Sequence, residues 1–449
     1  MPKRNVVLLV VTCLVSLVAL AARERGGHGR RFAEVMTAIE RSYYKPVDGD
    51  GLFTAAVDAA VGRLDENSAY LRDAGRDALE SALDQRFGGV GLELALDPKS
   101  RQPIVVSPVM HAPAWRAGVA AGDLVTAVDG LVTAGLPLRD TVERLRGRIG
   151  APVTLTILPA PASGHSLDPA AAPPARDVVL LREAIEVESV QGDRRRDDGS
   201  WIWMLEGEPG VACVRITTFG ERTAAELDAA LEAIAAEDGL RGLVLDLRGN
   251  PGGLLQGAID ICDAFLDDGV IVATRRGAAS SADDPGVLDE RRATAGQRLA
   301  GLPIAVLVDG LTASAGEIVA ACLQDAGRAT VVGSRTFGKG TVQSLVPLSD
   351  GRGLLKLTTA EYLRPSRRTI DRSPDAGEDA AWGVRPDPGY EVTPTAEAVE
   401  RLAEWRRRRD VVWPPGRQPQ AAGSPALPRE IDAVLAKALE AFGRDNESP

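Results

Sequence analysis

The sequence predicts an α/β protein: a core of mixed or parallel sheet with helices, a small β-rich domain before it, and a helical N-terminal segment. Three observations carry this reading. Beyond residue 183, short apolar runs alternate with helix-length amphipathic stretches, the pattern of a largely parallel sheet. Between Gly88 and Leu158 apolar residues recur at a spacing of two, as in half-buried strands. Before Phe87 they recur at three and four, as on one face of a helix. A chain of 449 residues also exceeds what one hydrophobic core usually serves, so two or three folded units are expected.

Residues 1–22 read as a signal peptide or membrane anchor. Lys3 and Arg4 precede the apolar run Val6–Ala22, and Ala19-Leu20-Ala21 is a small-x-small cleavage candidate. The run is long for a cleaved signal and short against the roughly 20 residues of a spanning helix, so both readings stand. Either implies export to the periplasm or cell envelope, with membrane association through residues 5–22 if the segment is kept. Residues 23–86 predict helices over Arg31–Tyr44, Phe53–Leu64 and Arg76–Phe87, a scaffold without chemistry.

Residues 87–182 form the small domain. Val90, Leu92, Leu94 and Leu96 alternate with smaller or polar residues. The strand Leu124–Val128 ends at an Asp-Gly turn, and a helix Leu138–Leu145 and a strand Val153–Leu158 follow. The Ala/Pro-rich stretch 159–176 lacks the large apolar residues needed to pack and reads as a loop. In the core, 183–395, strands are expected at Val211–Ile216, Leu243–Leu247, Ile304–Val308 and Leu354–Thr358. Helices are expected at Thr223–Glu237, Leu254–Leu266 and Gly316–Ala326. The tail 396–449 predicts two peripheral helices, Ala396–Arg409 and Ile431–Phe442.

Composition narrows the chemistry. Lys and Arg number 52 against 63 Asp and Glu, a net charge of −11, so nucleic acid is not the expected partner. The three histidines, His28, His111 and His165, lie far apart in sequence, and no metal or organic cofactor is expected. Cys13 falls within the leader. Cys213, Cys262 and Cys322 each sit in an apolar stretch and read as buried thiols rather than a disulfide framework.

Three segments are candidates for catalysis. In LPIAVLVDGLTASAGEIVAACLQDA an apolar strand runs through a short loop into a helix, which puts Ser314 at the helix start. Unpaired N–H groups and the positive end of the helix dipole favour a developing negative charge there. The same serine also serves as an N-cap, with Glu317 completing a capping box. In GSRTFGKGTVQ, Lys339 stands between two glycines. The phosphate-loop pattern fails because Gly340, not Ser or Thr, follows the lysine. With no histidine nearby, the lysine is the candidate base. To be neutral near pH 7 it must fall about three units below the 10.4 of a free lysine, about 4 kcal/mol, which desolvation can supply. Gln343 could orient the amine if the segment is helical, though not directly in a strand. Finally, the apolar strand before Arg248-Gly249-Asn250-Pro251-Gly252-Gly253 leads into a turn whose backbone N–H groups could hold an oxyanion. It could equally be a structural turn with Asn250 as the cap.

The order DLRGNPGG, TASAGEIVAACLQDA, GSRTFGKGTVQ resembles the C-terminal processing (tail-specific) serine peptidases. The resemblance implies a Ser-Lys dyad with Ser314 as nucleophile, Lys339 as base and Gln343 close by. It also implies an oxyanion hole from Gly252 or Gly253 with Ala315. Thr312 and Gly316 replace the serines that flank the family's nucleophile, and neither change removes a catalytic atom. FGGVGLEL and the residues that follow resemble a PDZ domain. There Gly89, Val90, Gly91 and Leu92 would receive a peptide C-terminus, with the strand from Leu92 pairing to it by β-augmentation. The loop 159–176 then reads as an insertion in that domain's last hairpin. The resemblance covers roughly Arg31 to Val392.

The implied activity is endoproteolysis of exported proteins recognised by their C-terminal tails, by a monomer or a homo-oligomer. The alternative of another class is a catalytically inactive PDZ adaptor that binds tails without cutting them. An esterase of related fold would leave the peptide-docking domain idle.

Overall fold

The computed structural model describes residues 27–160, 174–276, 288–348, 353–417 and 431–443, apart from 73, 74, 77, 78, 80–82, 197, 374 and 378. The leader, and all but the ends of the Ala/Pro-rich loop, lie outside the described residues. Two compact units emerge: Met1–Asp73 with Gln343–Thr358, and Ala74–Val342 with Thr359–Pro449.

In the first unit, helices α1 (Gly27–Ser42) and α2 (Gly49–Val61) follow one another. Asp48 caps α2 by accepting from Gly51 N at 3.0 Å. The rings of Phe32 and Phe53 approach to 6.3 Å between centroids. Strand β1 (Ala69–Leu71) pairs antiparallel with Leu354–Lys356, and Asp65, Ser68 and Thr358 share hydrogen bonds beside it. The helical N-terminal segment thus completes itself with strand residues nearly 300 positions away.

The second unit opens with a departure from expectation. A helix was expected to run through Phe87, but Gln85 has a positive φ of 53° and Arg86–Gly89 is a strand, β2. It pairs with Glu183–Glu186, and a Cβ at Gly88 would stand 2.1 Å from the Gly147 carbonyl oxygen. Tertiary pairing overrides the local helical period here. The small domain continues through β3 (Leu92–Leu96), β4 (Pro103–Pro108), α3 (Pro113–Arg116), β5 (Leu124–Val128), β6 (Leu131–Val132), α4 (Leu138–Leu145), β7 (Pro152–Leu158), β8 (Arg176–Leu181) and β9 (Glu183–Glu186). Its sheet order is β3-β4-β5-β7-β8, with β6 on β5, so β3 is an edge strand among the described residues. Residues 159–175 therefore join two directly paired strands, β7 and β8.

The core adds β10 (Val190–Gln191), β11 (Arg194–Arg195), β12 (Trp201–Ile202), β13 (Val211–Ile216), α5 (Thr223–Ala235), β14 (Gly242–Asp246), α6 (Leu255–Phe265), β15 (Val270–Arg276), β16 (Leu288–Arg292), β17 (Ile304–Val308), α7 (Ala315–Asp325), β18 (Thr330–Gly333), β19 (Thr341–Pro347) and β20 (Leu354–Leu363). The tail supplies α8 (Ala396–Arg409) and α9 (Ala433–Leu439). The central sheet runs β10-β13-β14-β17-β18, parallel from β13 onward. Strands β14 and β17 are buried along their whole length because both faces are covered. Leu243, Leu245, Val306 and Val308 pack with residues of α5, α6 and α7. The alternate residues Val244, Ala305, Leu307 and Val332 pack with Val434, Leu435, Ala438 and Phe442. The last helix, expected to be peripheral, is the second layer of the core.

An ion network fixes that layer. Arg248 bonds Asp246 and Asp432 at 2.7 Å each, and Arg406 on α8 bonds Asp246 at 2.6 Å. Beyond α8, Val412 N donates to Ser107 Oγ, Trp115 Nε1 to the Trp413 carbonyl, and Arg417 to Asp123 Oδ1, strapping the tail to the small domain. Burial pushes the Asp246 carboxyl up, but Arg248 and Arg406 more than offset it and hold it well below the usual carboxylate range. A carboxyl with a depressed folded pKa contributes stability above its unfolded value, about 3.9, and loses it as pH falls further. Asp246→Asn should therefore cost about 3–5 kcal/mol in urea unfolding at neutral pH, by taking from Arg248 and Arg406 the buried carboxylate they share. The gap to wild type should narrow as the pH drops below about 4.

Candidate active site

The three candidate segments each follow the C-terminal end of a strand: β14, β17 and β18. These strands are neighbours in the sheet, so segments more than 80 residues apart in sequence meet at its carboxyl edge. Asp309 begins the junction. Its Oδ1 accepts from Gly249 N, Leu311 N and Thr312 N, each at 3.0 Å. Thr312, which stands where the resembled family has a serine, donates its hydroxyl to the Leu247 carbonyl at 2.9 Å. Ala313 N donates to the Asn250 carbonyl at 2.9 Å. The serine loop is thus laced to the Asn-Pro-Gly-Gly turn.

Ser314 is half-buried and sits at φ 53°, ψ −115°, a region that L residues avoid. Such strain, of order 1–3 kcal/mol, persists only where the surroundings over-determine it. The expected capping box forms: the Glu317 carboxylate accepts from Ser314 N at 2.9 Å, and the Glu317 N–H turns back to Ser314, donating to its carbonyl at 2.9 Å.

Glu317 does more than cap. It is fully buried, and its Oε1 accepts from Thr336 Oγ1 at 2.5 Å and Gly338 N at 2.7 Å. Its Oε2 takes Lys339 N at 2.8 Å beside Ser314 N. Burial raises its carboxyl above the usual range, while the four donors pull the other way. Because one oxygen binds both Ser314 N and Lys339 N, the two backbone nitrogens can be no farther apart than the sum of those two bonds. The candidate nucleophile and base are therefore on adjoining backbone.

Glycine is required on both sides of Lys339. Gly338 has φ 88°, and a Cβ there would be 2.8 Å from the Trp382 ring. A Cβ on Gly340 would be 2.2 Å from Asp371 N, and the Gly340 amide donates to Asp371 Oδ1 at 3.0 Å. Lys339 itself is half-buried.

The turn after β14 distinguishes its two glycines. Gly252 lies against the serine, since a Cβ there would be 2.7 Å from Ser314 Cβ and 3.1 Å from Ala315 N. Its own N–H is committed to Asn250 Oδ1 at 2.8 Å, while Asn250 Nδ2 donates to the Ile216 carbonyl. Gly253 bridges to Phe219 through the Gly252 carbonyl and the Leu254 amide, which leaves the Gly253 N–H out of that bridge. Ala315 is the first residue of α7, where helix amides have no intrahelical acceptor.

Gln343 falls in the other compact unit, on strand β19, so the helical spacing that would let it face Lys339 is absent. Its amide donates to Thr358 Oγ1 at 3.3 Å. In the small domain, Gly89 is paired with Glu183, and Val90 is buried with its carbonyl taken by Ala114 N. Gly91 has φ 74°, and a Cβ there would lie 2.2 Å from Ala112 Cβ. Leu92 starts the edge strand β3, opposite Pro108. A cavity of ≈ 1020 Å³ is walled by Val106–Met110 of the small domain, by α8, and by Asp309–Leu311 just before the serine. Among the described residues Cys213, Cys262 and Cys322 are free, and burial pushes the Cys213 thiol up to about 12.

From the sequence Glu317 is a capping partner and stands at the resembled family's acidic position, while its reach to a loop about 20 residues on is a property of the sheet. Thr336 was not singled out, although its place just before Phe-Gly-Lys-Gly could have flagged it.

Residues 210–388 match the model of peptidase family S41, and residues 104–159 match that of a PDZ domain. The chain is 36% identical over 343 residues to a carboxy-terminal-processing protease of Bartonella bacilliformis, covering 76% of this chain and 72% of that one. It is 30% identical over 384 residues to a protein of Staphylococcus saprophyticus named "Probable CtpA-like serine protease", covering 81% and 70%. Among solved structures it is similar to the photosystem II D1 C-terminal processing protease, with a TM-score of 0.44 and 27% identity over 85% of this chain and 93% of that one.

Gly252→Ala would force a Cβ into Ser314 at a φ of 99°. It should lower kcat by about 100-fold or more, the effect of displacing a reacting group by about 1 Å. Steady-state cleavage kinetics, with circular dichroism as a check on folding, will measure this.

Proposed function

We propose a mechanism for a chain that belongs to peptidase family S41 and is a PDZ-containing serine peptidase of the C-terminal processing type: Ser314 is the nucleophile and Lys339 the general base. The neutral amine of Lys339 takes the Ser314 proton as Oγ bonds to the scissile carbonyl carbon. The carbonyl oxygen becomes an oxyanion, held by the N–H groups of Gly253 and Ala315. Gly252 acts through its lack of a side chain, which lets the turn lie against the serine. Collapse breaks the C–N bond, and Lys339 returns the proton to the leaving amine. A water, deprotonated by the same lysine, then releases the acyl group. The carrying observation is the single Glu317 carboxylate that binds both the serine turn and the lysine loop. For Gln343 we propose support of the lysine side of the site, by a route other than a shared helical face.

We propose further that substrates present C-terminal tails to the small domain. The tail would add a strand beside β3, with its carboxylate at Gly89–Leu92. The cavity between that domain and the serine loop would lead the chain inward. Export to the periplasm or envelope rests on the composition of residues 3–22, as does membrane association through residues 5–22. Among the described residues no helix is long and apolar enough to cross a membrane. A homo-oligomer is compatible with all of this.

The test is cleavage of an unstructured protein with an apolar C-terminus. Wild type should cut it, and Ser314→Ala and Lys339→Ala should each bind it with wild-type affinity and lose at least about 10³-fold in kcat. Binding without cutting by wild type would favour a tail-capturing adaptor. Equal cutting by Ser314→Ala would end the serine assignment.

A further inference from the structure

One aromatic side chain bears directly on the lysine loop, and the mechanism above does not use it. Trp382 is buried, with the Arg335 guanidinium 3.3 Å and the Arg372 guanidinium 4.5 Å from its ring centroid. Arg335 is anchored in turn, donating through Nε and NH2 to the Trp382 carbonyl at 3.1 and 2.8 Å. Gly338 lies against the same ring and against Arg372 Cβ, where a Cβ of its own would come within 2.8 and 2.9 Å.

The rest of this segment grips the same loop. Arg372 N donates to the Gly338 carbonyl at 2.9 Å, and Gly340 N donates to Asp371 Oδ1 at 3.0 Å. Val384 N donates to Thr336 Oγ1 at 2.7 Å, and that hydroxyl in turn donates a hydrogen bond to Glu317 Oε1. Lys339 is thus flanked by residues fixed from two sides, by Glu317 through the amides and by Arg372 and Trp382 through the Gly338 carbonyl and the ring. The buried indole is a rigid plate under two guanidiniums, that of the half-buried Arg335 and that of the exposed Arg372.

We propose that Trp382 is a positioning residue for Lys339: the ring sets where the Gly338–Lys339 turn stands against Glu317, and so where the amine meets Ser314. This rests on the Ser-Lys reading above. The charged groups packed around the turn are Glu317, Asp371, Arg335 and Arg372. Without the ring, the two guanidiniums lose the face they stack on, and Gly338 loses its backing. Aromatic bulk is what matters, so phenylalanine should largely substitute.

The experiment compares Trp382→Ala and Trp382→Phe in the full chain, using the unstructured substrate with an apolar tail. Trp382→Ala should lose about 10–100-fold in kcat with KM within about 3-fold of wild type, as for a misplaced catalytic group. Its kcat/KM against pH should shift on the limb that reports the base, and Trp382→Phe should restore both. Assays are run well below the unfolding midpoint of each variant. Wild-type kcat and pH profile in Trp382→Ala would overturn the inference, as would a loss confined to KM, or one that Trp382→Phe does not recover. Full activity in Lys339→Ala would instead sink the Ser-Lys reading, whereas a dead Lys339→Ala beside a normal Trp382→Ala would sink only this one.

Discussion

The site depends on a carboxylate buried where burial alone would be costly. Glu317 sits in the first turn of α7 with no exposed surface, and four donors converge on its two oxygens. An unsatisfied charge at that depth would be expelled or neutralised, so donors and acceptor require one another. Ser314 N belongs to the turn after β17, while Thr336, Gly338 and Lys339 belong to the loop after β18. The two strands are parallel neighbours, and their loops emerge on one edge. The carboxylate makes that adjacency a fixed geometry.

Around it the backbone is shaped more by exclusion than by attraction. Ser314 is held in a conformation that costs free energy, and the glycines at 252, 338 and 340 leave no room for a side chain where the neighbouring segments approach. Strain at Ser314 is tolerable because the loop is stitched at Asp309, Thr312 and Ala313 to the turn opposite.

Much of this was legible in the sequence. Continuous apolar runs such as Ile304–Val308 announce strands buried on both faces, and the turns after them carry the glycines and polar residues that mark a site. What covers the second face was not legible. The apolar side of the last helix shows in its spacing, but nothing in it names Val244 and Leu307 as partners. Nor could spacing reveal that Asn250 consumes the Gly252 amide, that Gln343 lies on a strand, or that Gly88 must pair with residue 184 rather than extend a helix. Each of these is set by contacts between segments far apart in the chain, while periodicity reports only on near neighbours. The resemblance to a family supplied the roles proposed for Ser314 and Lys339, and the physical link between the two segments is the Glu317 carboxylate.

The most direct measurement on that link is Glu317→Gln, which keeps size and shape but offers one acceptor oxygen where two are needed. Amide hydrogen exchange at Gly338 and Lys339, followed together with kcat, reads the joint and its consequence in one protein. The account predicts faster exchange at these amides and a fall in kcat in parallel, in a protein that stays folded. Wild-type exchange protection with undiminished kcat would contradict it, because the serine turn and the lysine loop would then hold their places without the charge between them.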